Sequence, residues 1–393
     1  MTTYECRSGA LKRKARVALV PAVGAFAAIA IAACGGSSTT TTKSNSGSGS
    51  SHSTDWSSAS SAQSGGGMAA LVKAAEQEGK LNVITLPADW ANYGTQMKEF
   101  KAKYHIDITD EIPEGSSAQE IQAIKADRGD AQAPDVVDVG QSFALEYASI
   151  FAPYKVATWD DIPAANKDSA GRWFNDYGGY VSFGCDMKVV KSCPTSWTQL
   201  SEPQYKNAIS LNGVPGQASA ATMAVWAAAI NNGGSLDNVQ PGLKFFAKLK
   251  SVGNLNSTDC DSTSVIAAGQ CPVMINWDYL NVANGQAVGS GKYKVNVPTG
   301  KPFAAYYAQA INAQAPHPAA ARLWEEFLYS TQGQNNFLKG YARPITMTAM
   351  QQAGTIDQAA AANLPPVQGT AQFPSITELT NAGDVIAKGW PSI

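Results

Sequence analysis

Between residues 80 and 150 the apolar positions switch repeatedly between a strand-like and a helix-like period. Lys80 to Leu86 is a β-rich run closed by Pro87, and beyond it Tyr93, Met97, Phe100 and Tyr104 recur at steps of four, three and four, which is one helical face. A second short strand is predicted over Ile106 to Ile112. Ser117 and Glu120 then stand in capping-box spacing and open a helix carrying Ile121 and Ile124. Pro134 introduces the apolar run Asp135 to Val139, and Ser142 can open a further helix through Phe143, Leu145 and Ile150. Strand and helix alternating three times predict a parallel, doubly wound sheet. In such sheets ligands gather at the carboxyl ends of the strands. That rule selects Asp89 and Trp90, Glu114 to Ser117, and Gln141 with Ser142.

Tyr177 to Phe183 reads as an extended connector into a second unit of the same kind. Its strand Ala208 to Leu211 precedes an Ala-rich helix that starts between Ser219 and Thr222, and the strand Pro272 to Asn276 ends at Trp277-Asp278-Tyr279. Tyr293 to Val297 and Ala305 to Ala313 are predicted strands. Pro318 to Ser330 is a predicted helix with Leu323, Trp324, Phe327 and Leu328 on its apolar face. No internal repeat is present.

The amino-terminal end follows different rules. Lys12, Arg13, Lys14 and Arg16 precede an apolar run from Val17 to Ala33, the arrangement of a secretory signal over residues 1–33. The run is Ala-rich, broken by Pro21 and Gly24, and short of the roughly 20 strongly apolar residues of a membrane span. It ends on small residues before Cys34, which resembles the lipobox of bacterial lipoproteins, where the thiol carries a diacylglycerol. Of residues 35–67, 25 are Gly, Ser or Thr, too polar to bury enough surface to offset their ordering entropy. Residues 34–67 are therefore expected to be a lipidated Cys followed by a flexible tether with a reach of roughly 30 Å.

Charge and cysteine content narrow the class. The 393 residues carry a formal net charge of −2, and loss of residues 1–33 leaves 24 basic and 30 acidic residues. Such a balance offers no basic surplus for nucleic acid. Four cysteines remain in the body, Cys185, Cys193, Cys260 and Cys271; their spacing does not suit a zinc site. Two local disulfides, 185 with 193 and 260 with 271, are the expected pairing of three possible connectivities.

The stretch Ser196-Trp197-Thr198-Gln199-Leu200-Ser201-Glu202-Pro203-Gln204-Tyr205-Lys206 resembles an element of the extracellular solute-binding proteins of ABC importers, in the branch that takes polyamines, ferric iron and thiamine. Three more elements resemble that family in the same order: Ala267 to Asp278, Ala315-Pro316-His317-Pro318 through Gly333-Gln334, and Pro344. The resemblance implies an α/β, two-lobed type II periplasmic-binding-protein fold, each lobe a doubly wound sheet with helices on both faces, joined by crossover strands. Lobe 1 is expected to comprise 68–180 and 298–345, and lobe 2 to comprise 181–297 and 346–393. It also implies a monomer, lipid-anchored outside the cell membrane, that closes on a small-molecule solute and delivers it to a permease with cytoplasmic ATPases. A lipoprotein that feeds a sensor would share the fold.

Catalytic constellations are poor. His52 lies in the tether, His105 opens a strand and His317 sits between two prolines; no H-E-x-x-H or G-x-S-x-G motif occurs. A binder is expected rather than an enzyme, with neither cofactor nor metal, although paired carboxylates for a glycan hydrolase are not in short supply. The aromatics Trp90, Tyr177, Trp277, Tyr279 and Tyr307 fall near strand ends and crossovers together with Asp89, Glu114 and Asp278. Rings and carboxylates suit an organic amine, so a polyamine-like cation is the expected solute, with Trp277 and Asp278 as principal contacts and Gln141, Ser142 and Ser219 as further ones. Phosphonate and other anions are the alternative served by Arg172 and the helix start at Ser219. Ferric iron is disfavoured because Tyr306 and Tyr307 alternate along a strand and only one can face the cleft.

Overall fold

The computed structural model describes residues 55–393 apart from Asp259, Asp261 and Ser290. The predicted signal, Cys34 and most of the predicted tether lie outside the described residues. In chain order, α1 (Met68–Glu78), β1 (Lys80–Ile84), α2 (Tyr93–Tyr104) and β2 (Asp107–Glu111) come first, followed by α3 (Ser117–Ala126), β3 (Val136–Gly140), α4 (Gln141–Glu146) and β4 (Phe151–Ala152). The long strand β5 (Phe174–Asp186) leads to β6 (Ile209–Leu211), α5 (Ser219–Asn231), α6 (Gln240–Ser251), α7 (Thr263–Ala267), β7 (Val273–Trp277), α8 (Asp278–Val288) and β8 (Tyr293–Asn296). The chain ends with β9 (Ala304–Asn312), α9 (Pro318–Leu328), α10 (Thr331–Lys339), β10 (Arg343–Pro344), α11 (Met347–Ala353), α12 (Gln358–Ala362) and α13 (Ile376–Gly389).

The architecture is the predicted two-lobed α/β one, but the sheet is mixed. β1 pairs with β2 and β6 with β7 in parallel, whereas β3 with β9, β5 with β9 and β5 with β7 are antiparallel. Local strand-helix alternation predicts parallel neighbours; it is silent about β9, which returns from far along the chain and runs the other way beside β3. β5 belongs to both lobes. Its first half pairs with β9, Phe174 opposite Gln309 and Gly178 opposite Tyr306, and its second half pairs with β7, Val181 opposite Trp277 through Cys185 opposite Val273.

Glycine is required at the crossover. A Cβ on Gly178 would lie 2.5 Å from the Ala305 carbonyl oxygen, and one on Gly179 would lie 2.6 Å from Asp278 Oδ1. The Asp278 carboxylate sits against this backbone, accepting from Tyr180 N at 2.9 Å, while Arg343 on β10 pairs with its other oxygen. Both predicted disulfides, Cys185 with Cys193 and Cys260 with Cys271, are formed.

From Asp55 onward the chain, expected to continue the tether through residue 67, packs instead. Trp56, Ala59 and Ala62 are buried, and Arg322 on α9 donates from Nε to Ala59 O at 2.8 Å and from an η nitrogen to Ser57 O at 2.9 Å. Composition averages a window, and here one indole among small polar residues supplies the anchor. His317 is structural: its backbone N and ring Nδ1 both meet Asp135, fixing the start of α9 to the residue just before β3.

Candidate functional site in the interlobe cleft

A cavity of about 470 Å³ lies between the lobes, within the roughly 300–1,000 Å³ usual for small-molecule sites. Thr85, Trp90, Glu114, Ser117, Asp138 and Tyr307 line it from the first lobe; Asn212, Ala218, Ser219, Asn256 and Thr258 line it from the second. Two helices begin at this cavity, and they differ. α3 is closed by a capping box one residue earlier than the sequence spacing suggests, formed by Ser116 and Gln119, and Ala118 N donates across the lobes to Gln217 O at 3.3 Å. α5 has no side-chain cap and no acidic residue in its first turn. Its helical bonding starts with Thr222 N donating to Ala218 O, so the preceding N–H groups point their partial positive charge toward the cavity. The lobes touch closely at this point: a Cβ on Gly140, at the end of β3, would lie 2.2 Å from Ser219 Oγ.

The first-lobe wall is acidic and aromatic. Asp138 projects from β3, where its N donates to Glu120 at 3.0 Å and its Oδ2 accepts from Tyr177 at 2.7 Å and Tyr93 at 2.9 Å. Trp90 Nε1 in turn donates to the Tyr177 hydroxyl at 2.7 Å. Asp138 Oδ1, although buried, has no hydrogen-bond partner among the described residues. Burial, then the neighbouring Asp176 charge, raises the Asp138 carboxyl well above its ordinary range. A cationic group brought against this oxygen would favour the ionised form. No residue lining the cavity among the described residues is Lys, Arg or His.

Behind Asp138, burial pushes Asp176 up to about 7, against the lowering effect of hydrogen bonds from Gln309 and the Tyr177 backbone. Unfolded, this carboxyl ionises near its ordinary 3.8. The native state therefore binds the extra proton between about pH 4 and 7, and stability falls as pH rises through that window. Asp176→Asn is expected to gain stability relative to wild type as pH rises from 5 to 8, read as the difference in melting temperature. A difference that does not change with pH would discard this account.

The predicted contacts divide. Trp90, Glu114, Ser219 and Tyr307 line the cavity. Tyr177, Trp277 and Tyr279 are buried behind it, with Tyr177 stacked on Tyr307 at 5.8 Å and Trp90 edge-on to both Tyr307 and Tyr279. Gln141 is buried and Ser142 half-buried at the start of α4; neither lines the cavity. Asp89 is exposed and accepts from Thr263 of the opposite lobe at 2.5 Å. Asp278, expected as a principal contact, is fully buried at the crossover with both oxygens engaged by Arg343 and Tyr180, so it faces protein rather than cavity. Arg172 is paired with Asp168 at 2.8 Å and is not in the lining. Of the tyrosine pair, Tyr307 faces the cavity and Tyr306 stacks on Phe373 at 5.7 Å. The sequence reading missed Asp138, the Asn212–Ala218 loop and Asn256–Thr258. One signal was present: a lone Asp inside the otherwise apolar run Val136 to Gly140.

The sequence profile of the bacterial extracellular solute-binding proteins matches residues 132–367. The chain belongs to that family. A curated relative of this solute-binding protein, from Salmonella typhimurium and named for periplasmic 2-aminoethylphosphonate binding, is 29% identical over 182 residues. That match takes in 45% of this chain and spans about half, 48%, of the relative. Among solved structures, the periplasmic binding protein AfuA of Actinobacillus pleuropneumoniae, with fructose-6-phosphate bound, aligns at TM-score 0.60 and 17% identity over 80% of this chain and 98% of its own. The binding protein AgtB of A. tumefaciens R10, in complex with agropinic acid, aligns at TM-score 0.62 and 13% identity over the same shares. These two likenesses show the fold of the solute-binding protein.

Proposed function

We propose that this solute-binding protein serves an ABC importer and captures a small zwitterion of the aminophosphonate kind in the interlobe cavity. The carrying observation is a pair of opposed features: the buried, half-unpartnered carboxylate of Asp138 on one lobe and the uncapped start of α5 on the other. An ammonium group belongs with the first, where Trp90 and Tyr307 offer ring faces. A phosphonate belongs with the second, among main-chain N–H groups and small hydroxyl and amide side chains. The name of the Salmonella relative supports the same pairing of charges. Membership in a family of solute-binding proteins supports its being a binder rather than an enzyme. It would be held outside the cell membrane by lipid on Cys34, acting as a monomer whose closed form a permease with cytoplasmic ATPases recognises.

Polyamines are the second reading, favoured by Glu114, Glu120 and Asp138 in a lining without basic side chains among the described residues. Calorimetric titration separates the two. 2-Aminoethylphosphonate is expected to bind, while ethylphosphonate and putrescine, each with one kind of charge, bind at least tenfold more weakly. Heat from putrescine or spermidine with none from the aminophosphonate would replace the first reading by the second.

A further inference from the structure

Residues 368–393 lie beyond the family match, yet they complete the cavity: the wall formed by Asn212–Ala220 and Leu255–Thr258 is extended by Trp390. We propose that Trp390 is a specificity-determining residue that sets the length of solute the cleft admits, held in place by α13. The inference rests on the reading of this cavity as the solute site.

The position of Trp390 is fixed from several sides. α13 opens with a capping box of Ser375 and Glu378 and buries Leu379, Ala382 and Ile386, one face at steps of three and four. It packs on α5 and α6 of the second lobe and also on α4 of the first, so it lies across both sides of the cleft. Gly216, in the cavity-lining loop, has no room for a side chain because a Cβ would lie 2.7 Å from Ala387 Cα. A Cβ on Gly389 would lie 2.5 Å from Leu243 Cδ1, and the Trp390 ring meets Phe246 edge-on at 5.5 Å. Lys250 Nζ on α6 donates to the main-chain oxygen of Ile393. A bulky, half-buried indole held this firmly at a cavity wall limits how far a solute can extend on that side.

The test titrates wild type, Trp390→Ala and Trp390→Phe with 2-aminoethyl-, 3-aminopropyl- and 4-aminobutylphosphonate, with melting temperatures as a control for folding. Trp390→Ala is expected to shift the ratio of dissociation constants toward the longest member by about tenfold, with Trp390→Phe in between. Should the Ala variant unfold, the Phe variant carries the comparison. Wild type that binds the series while a folded variant keeps the same ratios overturns the role of Trp390 alone. Wild type that binds no member overturns the zwitterion reading and this inference with it.

Discussion

Replacing Asp138 with Asn is expected to lower affinity for an amine-bearing solute by roughly 100-fold, because it removes one partner of a desolvated charge pair. Asn keeps the shape and can still accept from Tyr93 and Tyr177, whose hydroxyls converge on Oδ2, so the aromatic wall should stay in place. What is lost is the negative charge beside Oδ1, which has no protein partner among the described residues. The same site predicts a pH dependence. Burial and Asp176 hold the empty site's carboxyl above its ordinary range, so an ammonium ligand must displace a proton, and affinity should rise with pH until that raised value is passed. Titration calorimetry of both proteins at pH 5 and 8 reads both effects. Equal affinities, or a loss equally large for an alkylphosphonate without the amine, would remove Asp138 from the contact.

The largest expected effect on stability is at the crossover. Arg343→Met leaves the fully buried Asp278 carboxylate without its ion-pair partner, a change that costs about 3–5 kcal/mol in comparable buried pairs. Burial already raises Asp278, and Arg343 is the first of the groups that oppose it. Without Arg343 the carboxyl rises further, so the destabilisation grows as pH increases and the unfolded chain ionises more readily than the native one. Asp278→Asn in the same background should recover much of the loss, because the amide has no charge to strand and can still accept from Tyr180 N. Urea denaturation of the two single variants and the double variant gives the coupling. Additive losses would mean that the pair does not act as a unit.

Several features were legible because they are local. The helix face of Tyr93, Phe100 and Tyr104, the close cysteine pairs and the start of α5 each lie within a short window, where period, punctuation and spacing act directly on neighbouring residues. Trp90, Glu114, Ser219 and Tyr307 were singled out by the rule that strand ends and helix starts face a cleft, and they line one cavity. The errors have a common cause. Asp278 stands at the end of a strand beside two aromatics, which is what a ligand contact looks like in sequence; Arg343, 65 residues further on, decides otherwise. Asp138 looks like a polar interruption of a core strand until Tyr93 on α2 and Tyr177 on β5 are brought onto it from two other segments, with Trp90 bonding the Tyr177 hydroxyl. Trp56 turns the last part of a Ser-rich stretch into packed structure only because Arg322 and α9 are there to receive it.

The sequence by itself determined an α/β alternation and two local disulfides, since those follow from short-range periodicity and spacing, and its motifs carried the resemblance to solute-binding proteins. Only the tertiary structure decided which charges face the cleft. An acid's role depends on what long-range pairing leaves beside it, and here β9, α13 and Arg343 all arrive from the distant end of the chain.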